Sequence, residues 1–415
     1  MKLNKTQWCW LLYDPGNAAY ALLVRAVFAP LFFMHCARGV CSESEAAASW
    51  GLLCSGAGIF AGVCSLYFGA LADARNRRKT ALLAASVLGA VSAAALALTG
   101  DHRAVMIVYF ISLAAYMAGN SFYDSLLISV AQPAQYSRLS TFAYGMGYLG
   151  GFIPFVGILA AGFYLGDKIV TARSAFVLAA VWWMLFTIPV AVAVREVPPP
   201  EKTKLHWYDG FSGLWKTLKE VFVNRNTRLF LIAYFLYIDG VSTILMMAAP
   251  ISVEIGMSET LLMLTILGLQ VIGFPSTITF GKLAGRFGAR KMVYAALVLY
   301  VLTASLIGVL TLCSSANGKL ICFLSAAFLI ALAQGGIQSL SRSLYGLLVP
   351  EEKAAEFFSV YNIFGKFTTI LGPVLVYLVS VIWHRSEYGI VLLIIPFTVG
   401  GFMLSKVKFP GGEKL

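Results

Sequence analysis

The sequence predicts an all-α membrane protein with twelve transmembrane helices in two pseudo-symmetric six-helix bundles. Three observations support this fold class: apolar runs of bilayer length, basic residues concentrated in alternate loops, and a motif repeated in each half. Of the 415 residues, 59% are hydrophobic and 12% are charged, whereas soluble domains have about 45–50% apolar and about 25% charged residues. The mean hydropathy of +0.81 agrees with this composition. So much apolar surface suits a bilayer better than water.

The apolar runs define the predicted spans. A helix that crosses a bilayer needs about 20 mostly apolar residues. Such runs occur at residues 8–34, 47–72, 79–99, 104–131, 140–165, 174–195, 228–254, 259–285, 290–313, 319–347, 356–382 and 387–407. Because the first run is too long for a signal-peptide core and carries polar residues, we predict that it is a retained first span.

Lysine and arginine residues indicate the orientation of the spans. With the N-terminus in the cytoplasm, the inner segments carry 22 of these residues and the outer loops carry six. Cytoplasmic loops of membrane proteins show this excess. We therefore expect both termini in the cytoplasm, and the short loops without a targeting extension favour a bacterial inner (plasma) membrane. The net charge of +12 is then a topology signal, and no nucleic-acid partner is expected.

The longest connection divides the chain into two halves. Residues 196–227 contain three consecutive prolines, followed by apolar residues at steps of three and four that end at Phe222. This spacing predicts an amphipathic helix on the inner leaflet, and a plain solvated linker is the alternative. The predicted domains are an N-terminal six-helix bundle at 1–195, the cytoplasmic linker at 196–227 and a C-terminal six-helix bundle at 228–415.

A short motif occurs once in each half. Residues 69–79 (GALADARNRRK) and 281–291 (GKLAGRFGARK) share the form G-x-L-A-x-x-x-x-x-R-K, and each joins the second and third spans of its half. Basic residues in such a loop can bind helix C-terminal carbonyl groups. Asp73 can pair with a neighbouring helix, so Asp73, Arg77 and Arg78 are candidate gating residues. A basic inner loop without a gating role is the alternative.

The first helix of each half also carries an acid close to a glycine, at Asp14 and at Asp239. Two repeated halves with polar breaks at corresponding positions are typical of transporters that bind their solute between the halves.

Several strings resemble a known family. The repeated loop is similar to the signature of the major facilitator superfamily. More specific strings resemble the vacuolar amino-acid effluxer group, also called the unidentified major facilitator family. They are WLLYD at 10–14, NAAY at 17–20, GMGYLGG at 145–151, AYFLYIDG at 233–240, QGGIQSLSRS at 334–343 and EFFSVYN at 356–362.

The resemblance implies two six-helix bundles around a central cavity with alternating access, and export of amino acids as the best-known role. This sequence departs from the family's usual pattern at Pro15, where an aromatic residue is more common, and at Ile238, where asparagine is common. The second change removes a polar group beside Asp239, which bears on the substrate more than on the fold.

Ionisable residues inside predicted spans are the main candidates for function. Each costs about 2.5–3.5 kcal/mol on insertion scales. At 1.5 Å rise per residue, Asp239 lies about 16 Å into span 7 and Lys366 about 15 Å into span 11, both near the midplane. A carboxylate removed from water can bind and release a proton near neutrality. We therefore predict that Asp239, Lys366, Asp14 and Arg25 contribute to solute binding or proton coupling. Structural ion pairs are the alternative, and Arg25 can instead extend to the outer interface.

Neutral polar residues extend this candidate site. Asn17, Tyr237, Gln338 and Asn362 lie in spans 1, 7, 10 and 11. They offer hydrogen bonds to a polar solute, although any one of them can serve helix packing alone. Asp124 and Arg342 lie towards the inner ends of spans 4 and 10, where a gating network is the favoured prediction.

The sequence contains no HExxH, GxSxG or P-loop string, and its four histidines lie in or beside loops. No catalytic residues, metal site or cofactor are therefore expected, and the protein is predicted not to be an enzyme. Cys36 and Cys41 share one outer loop, and either a disulfide or two free thiols fits that spacing.

The sequence leaves three functions open. The favoured one is a secondary transporter, symporter or antiporter, of a small polar solute, with proton coupling predicted and amino acids suggested by the resemblance. The second is a transporter of lipids or amphipathic compounds, and the third is a non-transporting membrane receptor or enzyme. The expected partners are a small-molecule solute, protons and the lipid bilayer. A monomer is expected because each half supplies the partner of the other.

Overall fold

The structure is a computed structural model that describes residues 3–196, 209–310, 312–383 and 386–410. Every regular element in these ranges is a helix. The α-helices are α1 (Lys5–Leu11), α2 (Tyr13–Ala19), α3 (Ala29–Ala37), α4 (Glu43–Ala74), α5 (Arg78–Leu96), α6 (His102–Val130), α7 (Tyr136–Leu165), α8 (Lys168–Ala193), α9 (Asp209–Val223), α10 (Arg225–Glu254), α11 (Glu259–Phe287), α12 (Ala289–Leu310), α13 (Ala316–Gly346), α14 (Ala354–Trp383), α15 (Ser386–Val391) and α16 (Ile394–Ser405). A π-helix (Tyr20–Phe28) joins α2 to α3, and short 3-10 helices precede α7 and α14.

Ten helical runs in the described part of the chain are long and apolar enough to cross a membrane. The first combines α1, α2, the π-helix and α3, and the others correspond to α4–α8 and α10–α13. Each overlaps one of the first ten predicted spans. The eleventh predicted span, at 356–382, coincides with α14, and a shorter apolar run, Gly389–Ser405, coincides with the twelfth.

The first span changes its hydrogen-bonding pattern at the π-helix. Here backbone N–H groups bond five residues back, as where the Ala29 N–H donates to the Val24 carbonyl. Pro30 follows at the start of α3. Proline has no N–H, and its ring clashes with the carbonyl four residues earlier in a regular α-helix. Proline also lies inside α7, α8, α10 and α11, which remain α-helical, so Pro30 alone does not account for the π turns. These turns carry Arg25 at an exposed position.

Five helices that follow predicted outer loops begin at a side chain that accepts a hydrogen bond from the first helical turn. These N-caps are Ser42, Asp101, Asp167, Ser258 and Ser315. They satisfy N–H groups that have no partner inside the helix. All five residues fall in loops that the sequence predicts to be outer. At Asp101, the hydrogen bond from the Ala104 N–H holds the pKa of the carboxyl below its usual value.

The predicted linker is helical where the structure describes it. The proline run lies within residues 197–208, outside the described residues. In the following α9, Thr217 and Val221 are buried, whereas Lys216 and Lys219 are exposed. Phe222 of the predicted apolar stripe is exposed, so the buried face of α9 is not that stripe. An amphipathic helix on the inner leaflet stays a prediction.

The chain forms two compact units. Unit 1 comprises residues 1–131, 146–219 and 350–363, and unit 2 comprises residues 132–145, 220–349 and 364–415. The residues of α7, α9 and α14 are thus divided between the units. The predicted bundles at 1–195 and 228–415 stay a prediction.

Aromatic stacking holds the first span within unit 1. Trp10 stacks on Tyr123 with ring centroids 4.7 Å apart, and Tyr20 stacks on Tyr116 at 4.6 Å. The order of the partners is reversed along α6, so the first span runs antiparallel to α6. This packing positions Asp14 and the rest of α2.

A glycine in α7 permits a second close contact of the first span. A side chain at Gly150 would overlap Pro15, whereas one at Gly157 on the same helix would meet nothing within 4 Å. We expect Gly150→Ala to destabilise the protein by about 1–3 kcal/mol, the usual cost of overpacking. The melting temperature in detergent measures this effect. Gly157→Ala is the matched control, and equal melting of the two variants would contradict the prediction.

Candidate functional site

Asp239 lies near the middle of α10 and is buried, with 3% of its surface exposed. Its Oδ1 accepts a hydrogen bond from the backbone N–H of Gly372 in α14, at 3.0 Å. Both residues belong to unit 2. The acid is therefore bound by a neutral backbone donor, which does not fix its protonation state as a permanent cation would.

Gly372 is the residue that permits this contact. A Cβ at this position would lie 2.9 Å from Asp239 Oδ2 and would overlap the hydroxyl of Thr243. That hydroxyl donates to the Asp239 backbone carbonyl at 2.8 Å. Lys366 lies earlier on α14, and its side chain lies outside the described residues. Its predicted pairing with Asp239 therefore stays a prediction.

Two other residues of unit 2 were predicted to contact the solute: Tyr237, which packs against α13, and Gln338, which lies on α13. The Tyr237 side chain is fully buried, and its hydroxyl lies 2.6 Å from the Ser341 hydroxyl. Gln338 is partly exposed on α13. One turn earlier, Gln334 accepts a hydrogen bond from Tyr300. These contacts give Tyr237 a packing role between α10 and α13 in addition to any contact with solute.

Arg342 anchors the start of α7 to α13 within unit 2. The side chain is 2% exposed, and its guanidinium donates to Ser140 Oγ at 2.8 Å and to the Ser140 carbonyl at 3.2 Å. It also lies over the Tyr144 ring, 4.6 Å from the centroid. Ser140 in turn donates to the Ser339 carbonyl at 2.7 Å. The predicted gating residue thus sits in a buried polar network.

Replacing this guanidinium tests the network. Arg342→Lys is expected to destabilise the protein by about 1.5–3 kcal/mol, the worth of a hydrogen bond to a charged group. A lysine ammonium cannot replace the planar guanidinium, which donates hydrogen bonds to Ser140 and also stacks on the Tyr144 ring. Arg138→Lys, an exposed position in α7, is the control. A melting temperature of Arg342→Lys that matches the control would contradict this account of the network.

In unit 1, Asp73 caps the start of α14. The carboxylate accepts hydrogen bonds from the backbone N–H groups of Ala355, at 3.1 Å, and Glu356, at 3.0 Å. A helix N-terminus favours negative charge because its first N–H groups have no partner inside the helix. The contact therefore joins the α4–α5 loop to α14 by charge-assisted hydrogen bonds.

Arg78 completes this contact. Its Nε lies 2.5 Å from Asp73 Oδ1 and both side chains are nearly inaccessible. Its other nitrogens donate to Ser129 Oγ, at 3.1 Å, and to the Glu351 carbonyl. The neighbouring Arg77 is exposed. Of the three candidate gating residues in this loop, the structure thus brings Asp73 and Arg78 together and leaves Arg77 outside the cluster.

Asp124 and Asn362 are also brought together within unit 1. Asn362 Nδ2 donates to Asp124 Oδ2 at 2.9 Å and to the Phe358 carbonyl at 3.1 Å. One turn before Asn362, the Ser359 hydroxyl donates to the Ser65 carbonyl at 2.8 Å. A predicted gating residue and a predicted solute residue therefore share one hydrogen bond between α6 and α14.

The remaining predicted residues lie on the first span. Asp14 is 8% exposed in α2, close to Gly147 of α7. Asn17 lies nearly one turn further along, and its buried Oδ1 has no hydrogen-bond partner among the described residues. Arg25 is exposed on the π-helix. Asp14 and Asn17 thus offer acceptor oxygens within one helical turn of each other.

Two acids in these networks were not singled out as functional by the sequence. Glu196, just beyond α8, accepts from the Lys79 backbone N–H at 2.5 Å and from the Thr80 hydroxyl at 2.9 Å, and so caps α5. Glu356 accepts a hydrogen bond from Thr217 of α9. No periodicity signals either pairing, because the partners are more than 100 residues apart. In the sequence, Glu356 stands out only as part of the family-like string EFFSVYN at 356–362.

Comparison with known proteins identifies the family. The profile described as "Vacuole effluxer Atg22 like" matches residues 3–135 and 129–414. The MFS-type transporter YxiO of Bacillus subtilis is 32% identical over 416 residues, which cover 98% of this chain and 95% of YxiO. Autophagy-related protein 22 of Yarrowia lipolytica is 29% identical over 68% of this chain. The alignment covers only 52% of the fungal protein.

Solved structures of major facilitator proteins share the fold. The proton:xylose symporter XylE aligns with a TM-score of 0.73 and 14% identity over 99% of this chain and 96% of XylE. The human organic anion transporter MFSD10 aligns with a TM-score of 0.72 and 15% identity over 96% of this chain and 99% of MFSD10. At this identity the likeness establishes the fold alone.

Relatives and structural neighbours are membrane transporters, which confirms the predictions of an integral membrane protein and of a transporter rather than an enzyme. The resemblance noted in the sequence is confirmed as well. This chain belongs to the Atg22-like vacuole effluxer family of the major facilitator superfamily.

Proposed function

We propose that this protein is a secondary active transporter that moves a small polar solute by alternating access, coupled to protons, with amino acids as the substrate class. The observation that carries the coupling is Asp239, a buried acid in the middle of an apolar helix, bound by the Gly372 backbone N–H. A charge at that depth is costly and marks ion or proton pathways. A neutral donor lets the carboxyl exchange a proton during the cycle.

Twelve spans follow if two helices are added to the ten long apolar runs. They are α14, of bilayer length, and the shorter apolar run Gly389–Ser405. An even number of spans leaves both termini on the same side of the membrane. The excess of lysine and arginine in the predicted inner segments favours the cytoplasmic side. The bacterial relative YxiO supports a plasma membrane. A monomer is proposed because two repeated halves already form a complete transporter of this kind.

Amino acids are favoured by chemistry and by family. A zwitterion needs both acceptors and donors in its site. Within unit 1, Asp14 and Asn17 supply acceptors on the first span. Within unit 2, Gln338 supplies an amide group on α13. Lys366 is the proposed partner for a solute carboxylate. The family's description as a vacuole effluxer agrees with export of small metabolites.

The gate is proposed at the start of α14. Asp73 and Arg78 hold this helix end through backbone groups of Glu351, Ala355 and Glu356. Access to the cytoplasm requires these bonds to break, and the cycle re-forms them. Arg342 and its network with Ser140 have the corresponding role in unit 2.

Uptake into proteoliposomes tests the proposed function. Radiolabelled amino acids are presented singly, with and without an inward proton gradient, to vesicles with the purified protein and to protein-free vesicles. We expect at least one amino acid to accumulate only with protein and faster with the gradient. If none enters under either gradient direction, the amino-acid proposal fails. Transfer of a fluorescent phospholipid in the same vesicles would then favour the lipid alternative.

A further inference from the structure

Two thiols meet where α12 and α13 are joined. Cys313 lies in the short loop after α12, and Cys322 lies in the second turn of α13. Their Sγ atoms are 3.8 Å apart, and both residues are partly exposed. Both belong to unit 2. A disulfide bond is about 2.05 Å long, so side-chain rotation with a small loop adjustment brings the sulfurs to bonding distance.

The start of α13 positions the loop thiol. Ser315 caps the helix by accepting from the Gly318 N–H at 3.1 Å. A Cβ at Gly318 would lie 3.5 Å from Cys313 Cβ and 3.6 Å from its Sγ. Gly318 and Cys322 are four residues apart and therefore share one face of the helix. Cys313 thus lies over the face that carries Cys322.

The cysteine pair of the first predicted outer loop is arranged differently. The Cys41 Sγ lies 3.9 Å from the Ala37 carbonyl at the end of α3. Cys36 is one residue earlier than Ala37 within that helix. Pairing of Cys36 with Cys41, left open by the sequence, stays a prediction, so these residues are replaced in the test below.

We propose that Cys313 and Cys322 are a disulfide-forming pair that ties the outer end of α12 to α13. The 22 residues of α12 separate this loop from Gly288, which lies between α11 and α12 within the basic motif at 281–291, a distance of about 33 Å at 1.5 Å per residue. The two loops therefore lie at opposite membrane surfaces. Formation of the bond in the cell rests on the orientation proposed above, which puts the thiols on the oxidising side.

The reaction is thiol–disulfide exchange with a disulfide oxidant such as oxidised glutathione. The Cys313 thiolate attacks one sulfur of the oxidant and releases the first glutathione thiolate. The Cys322 thiolate then attacks Cys313 Sγ, forms the protein disulfide and releases the second. Two electrons pass to the oxidant, and the two thiol protons end on the two glutathione molecules.

The test uses the full-length protein in which the other five cysteines, Cys9, Cys36, Cys41, Cys54 and Cys64, are replaced by serine. Purified protein is incubated with oxidised glutathione, blocked with N-ethylmaleimide under denaturing conditions, reduced, and labelled with a polyethylene-glycol maleimide. Two adducts per chain are expected, and at most one, from a glutathione mixed disulfide on the remaining thiol, after Cys313→Ser or Cys322→Ser is added. Mass spectrometry should find the peptides of Cys313 and Cys322 linked before reduction. Size-exclusion chromatography checks that each variant is folded.

The purified-protein assay does not depend on membrane orientation. Absence of adducts there, or two adducts per chain in the serine variants, overturns the pair. The same labelling on protein extracted from intact cells tests the side of the membrane. A bond that forms in purified protein but not in cells would contradict the outward placement of this loop, which belongs to the proposed function.

Discussion

Asp239→Asn is expected to abolish proton-driven accumulation of the solute while solute exchange continues. Asparagine has nearly the same shape, and its carbonyl oxygen can still accept from the Gly372 N–H that binds Asp239 at 3.0 Å. It cannot take up and release a proton. Uptake in proteoliposomes with an inward proton gradient should therefore stop at equal internal and external concentrations.

The exchange assay separates loss of coupling from loss of folding. Vesicles preloaded with unlabelled solute should exchange it for labelled solute through Asp239→Asn as through the unaltered protein. Asp101→Asn, an exposed cap of α6, should keep full accumulation. Accumulation by Asp239→Asn at the unaltered level would show that the proton passes elsewhere.

Asp73→Ala is expected to slow transport by roughly tenfold or more. The substitution removes two hydrogen bonds from the α14 N-terminus and leaves the buried Arg78 without its carboxylate. A hydrogen bond to a charged group is worth about 1.5–3 kcal/mol, and a change of about 1.4 kcal/mol shifts an equilibrium tenfold. The conformation held by this cap should therefore lose most of its population.

Alkylation of a buried position reports on the same contact. Ser359 is fully buried and donates to the Ser65 carbonyl. With the native cysteines replaced, Ser359→Cys should react slowly with a maleimide, and faster when Asp73→Ala is added. Asp167→Asn removes the charge of an exposed acid that caps α8, and it should change neither transport nor alkylation. Unchanged alkylation in Asp73→Ala would contradict the gating role.

Much of the helical pattern could be predicted because a bilayer imposes a strict rule. Every backbone polar group in lipid must be satisfied within the segment, so spans are long apolar helices. For this reason the predicted span at 228–254 agrees within a few residues with the observed run Arg225–Ser252, although Asp239 interrupts its apolar sequence. The π-helix was not predicted, because apolar periodicity does not reveal the backbone hydrogen-bonding pattern within a helical run.

The candidate site was predicted as residue types but not as partners. An acid after a span, such as Asp73, or an arginine within one, such as Arg342, stands out against an apolar background. Its partner does not stand out when it is a backbone N–H, as at Gly372, or a serine, as at Ser140. These partners depend on tertiary packing between distant segments.

Solute-driven proton movement is the most direct test of the central claim, that solute and protons move together through Asp239. Proteoliposomes with a trapped pH-sensitive dye and no imposed pH gradient receive the solute on the outside. The account predicts a change of internal pH with the unaltered protein and none with Asp239→Asn. Solute entry without any pH change, or the same pH change in Asp239→Asn, would contradict it.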